Sequence, residues 1–126
     1  MASLTQLLDS VILIDHLNGL PQAKDFMLGL DVDRTAVSVI SRAEILVGVE
    51  PDALALVKAF LDQFPLLIIE KPIADLAASL RQTWKWRLPD AFQAALCLHH
   101  QLNLITRNTR DFNPGHHKFV RVPYEL

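Results

Sequence analysis

Apolar and polar positions along this chain follow two periods, one of two residues and one near 3.6. Short apolar or β-branched runs predict strands at 5–8, 35–40, 66–69, 104–106 and 119–122. Helical spacing predicts helices at 10–17, 21–30, 51–64, 72–86 and 88–102, and Ser41-x-x-Glu44 reads as a capping box opening another. Asn18-Gly19, Gly48, Pro65, Asn103 and Pro123 close segments. The run at 66–69 is wholly apolar, as a strand covered on both faces should be. The run at 119–122 reads as an edge strand. The 88–102 helix opens on Pro89-Asp90, with Ala91, Ala94, Ala95, Leu98 and Leu102 as its inward stripe. Strands alternate with helices throughout. The expected class is α/β, a three-layer α/β/α domain with a mainly parallel sheet of four or five strands, spanning 1–126 as one unit.

Composition narrows the picture. The chain has 126 residues, half of them hydrophobic, which argues against disorder. No apolar run approaches the ~20 residues of a membrane span. The first residues carry no basic stretch ahead of an apolar one, so no secretory signal is expected. The single cysteine, Cys97, excludes an internal disulfide and fits a reducing cytoplasm; inside an apolar helical pattern it is expected to be packing. The net charge of −2 hides an asymmetry: residues 1–80 balance at −6 and residues 81–126 at +4. A polyanion partner at one face is compatible with that split.

The chemistry rests on acids. Asp9, Glu44 and Asp90 each fall at a strand end or in the first turn of a helix. Each has a simpler explanation alone. Asp9 can cap a helix, Glu44 can complete the capping box, and Asp90 can complement a helix dipole. Their shared placement is what suggests more. Three carboxylates at one sheet edge, with Asn108 or Asp111 as a fourth ligand, suit a hard cation such as Mg2+ or Mn2+. Asp15, Asp25, Asp31, Asp33, Asp52, Asp62 and Asp75 lack that placement and are expected to be solvated surface charge. Lys85, Arg87, Arg107 and Arg110 flank Asp90 and Asp111, where they can hold phosphates. Trp84 and Trp86 can stack on unpaired bases, although packing accounts for at least one of them. The histidines show no zinc spacing.

Four segments resemble the PIN-domain nucleases, and most closely the VapC-type toxins of type II toxin–antitoxin modules. They are Leu7-Leu8-Asp9-Ser10, the run from Ser38 through Glu44 to Gly48, Asp90-Ala91-Phe92-Gln93-Ala94-Ala95, and the turn from Thr106 through Asn108 to Asp111-Phe112. The resemblance covers nearly the whole chain. It implies a Mg2+- or Mn2+-dependent endoribonuclease with Asp9, Glu44 and Asp90 on the metal and Asp111 as the expected fourth, directly or through water, with Asn108 in a supporting place. Ser10 and Thr106 would orient carboxylates or water. It also implies a homodimer held silent by a cognate antitoxin protein. The Trp84-Lys85-Trp86-Arg87 segment departs from the family's usual small, glycine-containing stretch, and Asn108 is neutral. Those departures keep open a binding module with an inactive metal cup. A housekeeping RNA-processing nuclease with no antitoxin is a third possibility.

Overall fold

The computed structural model describes residues 3–126. Within them the strands are β1 (Gln6–Leu8), β2 (Thr35–Ser38), β3 (Leu66–Leu67), β4 (Asn103–Ile105) and β5 (Val120–Arg121). The helices are α1 (Ser10–Leu17), α2 (Pro21–Leu28), α3 (Val39–Val47), α4 (Leu54–Leu61), α5 (Lys71–Trp84) and α6 (Leu88–His100). The strands form one parallel sheet in the order β3-β2-β1-β4-β5.

Successive strand residues point to opposite faces, so each strand feeds two cores. Leu7, Ala36 and Leu104 pack with α5 and α6, against Ile73, Ala77, Ala91, Ala94 and Ala95. Their neighbours Leu8, Val37 and Ile105 pack with α1, α3 and α4, against Ile12, Leu13, Ile45 and Leu61. The result is the three-layer α/β/α architecture, with every strand parallel.

The strand order also positions a site. From β1 the chain adds β2 and then β3 on one side, and later returns to place β4 and β5 on the other. The direction of winding reverses between β1 and β4. In open α/β sheets a crevice forms there, outside the strands' C-terminal ends. Asp9 follows β1 and Thr106 follows β4 at that crevice.

Several local expectations change. β2 ends at Ser38, and the β-branched Val39-Ile40 pair opens α3. The Ser38 hydroxyl caps that helix, accepting from the Ser41 amide at 3.1 Å. Ser41 therefore lies inside the helix, buried, and the Ser41–Glu44 capping box does not form. β3 is an edge strand with Leu66 48% exposed, so it is not covered on both faces. β5 is the other edge, as its pattern predicted. The 51–64 helix begins as a 3-10 turn at Pro51–Ala53 and ends at Leu61, because the residue before Pro65 avoids the helical region. α6 ends at His100 with Gln101 in the left-handed region at φ 59°, and Asn103 belongs to β4. On α6, Leu98 is exposed and Leu96 and Cys97 are buried. Among the described residues no helix is long and apolar enough to cross a membrane.

Candidate active site

Asp9 is the centre of the site. It is buried just past β1, and it caps α1 by accepting from the Ser10 amide at 2.9 Å. Its Oδ2 accepts from the Thr106 hydroxyl at 2.7 Å, across the winding switch from β4. Its Oδ1 also accepts from Gln93 Nε2 at 3.3 Å. A buried carboxylate needs such donors. Donors from three parts of the chain therefore hold one side chain.

Gln93 carries no role in the sequence reading. It is buried on α6, one turn after Asp90, and its amide is fully engaged. Oε1 accepts from the Ser38 hydroxyl at 2.6 Å, and Nε2 donates to Ser41 Oγ at 2.8 Å. The amide joins α6 to the β2–α3 junction and to Asp9. Its signal was a lone amide at i+3 from Asp90 within an otherwise apolar helix face.

Glu44 reaches the site from the second turn of α3. It is exposed, unlike Asp9 and Asp90, so its charge stays hydrated. Its Oε1 accepts from the Ser10 hydroxyl at 2.8 Å. Asp90 enters from the first turn of α6 and is 8% exposed. Its Oδ2 is buried with no hydrogen-bond partner. The nearest cation, Arg87 Nε, stands at 3.6 Å on a largely exposed side chain, too far for a hydrogen bond. Burial, and then the Asp9 charge, push the Asp90 carboxyl up to about 6; Asp111 and Glu44 add to this and Arg87 opposes it.

These acids share one cavity of about 640 Å³. Asp9, Glu44 and Asp90 line it, with Ser10, Asn108, Arg87, Arg107 and Arg110. Thr106 is buried behind Asp9. Asp111 does not line the cavity; its Oδ2 accepts from Asn108 Nδ2 at 3.2 Å. Lys85 lies away from it, beside Arg81 and Leu88. Two charges differ from expectation. Asp15 is not solvated: it is buried and lines the cavity, bound by Arg107 and by the Tyr124 hydroxyl. Arg107 is therefore paired inside the protein. Long-range packing of the C-terminal segment, invisible in local spacing, brings Tyr124 to Asp15.

A buried carboxylate oxygen with no hydrogen-bond donor, in a cavity shared with two further acids, fits a cation, and oxygen donors fit a hard one. Among the described residues no three carboxylate, imidazole or thiolate groups close on one point by themselves. Water would complete the shell of an ion such as Mg2+, which keeps several.

The fold and the cavity together define an α/β domain with an acidic pocket at the switch point of its sheet. The family model described as PIN domain matches residues 7–113, and the chain belongs to that family, a family of nucleases. Its solved relatives include a toxin–antitoxin complex from Klebsiella pneumoniae, 35% identical, with a TM-score of 0.88 over 97% of this chain and 100% of that one. FitAcB from Neisseria gonorrhoeae is 22% identical, with a TM-score of 0.81 over 97% of this chain and 100% of its own. DNA-bound VapBC from Salmonella typhimurium is 21% identical, with a TM-score of 0.74 over 86% of this chain and 90% of its own. At those lower identities the likeness speaks to fold alone. No curated protein sequence matches the chain at a significant level.

Proposed function

We propose that this chain is a divalent-metal-dependent endoribonuclease and the toxin of a toxin–antitoxin pair. One observation carries the nuclease part: the buried Asp90 oxygen that lacks a hydrogen-bond donor inside a pocket shared with Asp9 and Glu44. The toxin part is supported by the 35% identical chain from a toxin–antitoxin complex.

Asp9, Glu44 and Asp90 would hold the ion. When bound, it lowers the pKa of water and offsets charge on a phosphate in transit. Thr106 and Gln93 keep Asp9 oriented, and Ser10 does the same for Glu44. Asn108 takes the fourth place, with Asp111 one step behind it, holding its amide and adding negative charge. Arg87 and Arg110 at the rim meet the RNA backbone. Lys85 reaches the strand only beyond the pocket, and Arg107 acts through the wall it braces. In this role the protein works as a homodimer and is silenced by a cognate antitoxin.

The test is cleavage of a single-stranded RNA with Mn2+ or Mg2+ present, followed by Asp9→Asn. Cleavage should need the metal and vanish in the variant. Undiminished cleavage in excess EDTA would overturn the mechanism. The open arrangement of the acids and the neutral Asn108 favour one competitor, a PIN-fold module that binds without cutting. Titration calorimetry separates the two: no heat of binding at millimolar Mn2+ selects the module.

A further inference from the structure

A second groove lies on the far side of the α5–α6 hairpin. Its volume is about 340 Å³, and its walls include Trp84, Leu98, His116, Lys118 and Phe119. Trp84 is 45% exposed and Leu98 is 44% exposed. The indole of Trp84 stacks on buried Trp86, with ring centres 5.7 Å apart and planes at 15°. His117 meets Trp84 edge-on at 4.5 Å. The exposed indole is thus held rigidly from beneath and from one side. A rigid aromatic platform loses little freedom when a flat ligand stacks on it.

The surrounding charge selects the kind of ligand. Lys118 is the one charged residue in the groove's lining, and no carboxylate lines it. A short stretch of chain joins the groove's wall to the rim of the acidic pocket. Arg87, three residues past Trp84, lines that pocket, and Trp86 Nε1 donates to the Asp111 carbonyl at 2.9 Å. Lys85 makes the turn between the two tryptophans in the left-handed region, at φ 63°. The turn carries the wall of one site directly into the rim of the other.

We infer that this groove is a nucleobase subsite for single-stranded RNA: a base stacks on Trp84 while Lys118 meets an adjoining phosphate. The subsite rests on the nuclease function proposed above, since the strand it grips is the one that enters the acidic pocket. Stacking tolerates any base, so the subsite contributes affinity and footprint length, not sequence choice.

The experiment is a tryptophan-fluorescence titration of the full chain with a single-stranded RNA oligonucleotide in EDTA, where binding is read without cleavage. Trp84→Leu should weaken binding about tenfold, and Trp84→Phe should restore most of it. Lys118→Gln, at an exposed position, should lower the slope of log affinity against log salt by about one. Equal RNA affinity in wild type and Trp84→Leu overturns the subsite. So does a change in Trp84→Leu confined to self-association, seen by sedimentation, because the groove is then a protein interface. A chain that binds RNA through Trp84 but never cuts it leaves the subsite standing and removes only the nuclease. A chain that cuts RNA with no dependence on Trp84 removes only the subsite.

Discussion

Arg107 grips Asp15 with two charge-assisted hydrogen bonds, Nε to Oδ2 at 2.6 Å and Nη2 to Oδ1 at 2.8 Å. The Tyr124 hydroxyl donates to Asp15 Oδ2 at 2.8 Å. One buried carboxylate on α1 therefore ties down both the turn after β4 and the C-terminal segment. Arg107 sits between Thr106, which holds Asp9, and Asn108, which lines the pocket. The pair braces this turn of the acidic pocket from behind.

Asp15→Asn should cost about 1–2 kcal/mol, at the low end for such a pair because Arg107 is partly wet. The Arg107 hydrogen bonds hold the Asp15 carboxyl below its ordinary 3.8, helped by Tyr124 and opposed by burial. Its folded pKa is depressed, so its contribution is full above that ordinary value and is lost as pH falls through the lowered one. Urea denaturation should give a gap between wild type and variant at pH 7 that closes in strong acid. A gap independent of pH would show that Asp15 acts through shape and not charge.

Asp90 has the opposite sign. Its folded pKa of about 6 lies above the ordinary 3.8, so the fold is penalised as pH rises between those values and stays penalised above them. The difference corresponds to about 2–3 kcal/mol. Metal-free Asp90→Asn should therefore melt higher than wild type at pH 7.5, with the advantage shrinking below pH 6 and gone below pH 4. A lower melting temperature for the variant at pH 7.5 would mean that Arg87 already compensates the charge.

Divalent metal should remove the same penalty. Binding to the folded chain alone stabilises it by about 2.7 kcal/mol at a hundredfold excess over Kd. Adding Mn2+ should raise the wild-type melting temperature, EDTA should return it, and Asp90→Asn should not respond. An equal rise in the variant would place the ion elsewhere.

Gln93→Met keeps the side-chain volume but removes its amide. It strands the Ser38 and Ser41 hydroxyls and removes one of the two donors to Asp9 Oδ1, at about 2 kcal/mol of stability. Because Asp9 loses an orienting bond and not its charge, kcat should fall about tenfold with little change in KM. A rise in KM with kcat unchanged would assign Gln93 to binding.

The legible parts were the ones written locally. Asp9 and Asp90 were found because a cap and a first-turn acid leave short-range marks beside apolar runs. The three layers were legible because alternating strands and helices admit few other architectures. Asp15 was misread because its partners stand 92 and 109 residues away. Gln93 went unassigned because its partners lie on β2, α3 and the end of β1. The start of α3 was missed because Val39-Ile40 has strand propensity, while pairing with β3 stops at Ser38 and frees its hydroxyl to cap.

By itself the sequence determined the element types, the α/β class and the acids with a shared placement. Those depend on periodicity, capping and burial, which act over a few residues. Only the tertiary structure decided which oxygens share one pocket, that Arg107 faces Asp15, and that Asp90 keeps an oxygen without a donor. Each of those depends on how distant segments meet at the crevice between β1 and β4. That meeting follows from strand order and packing on both faces of the sheet, and no single stretch of the chain carries it.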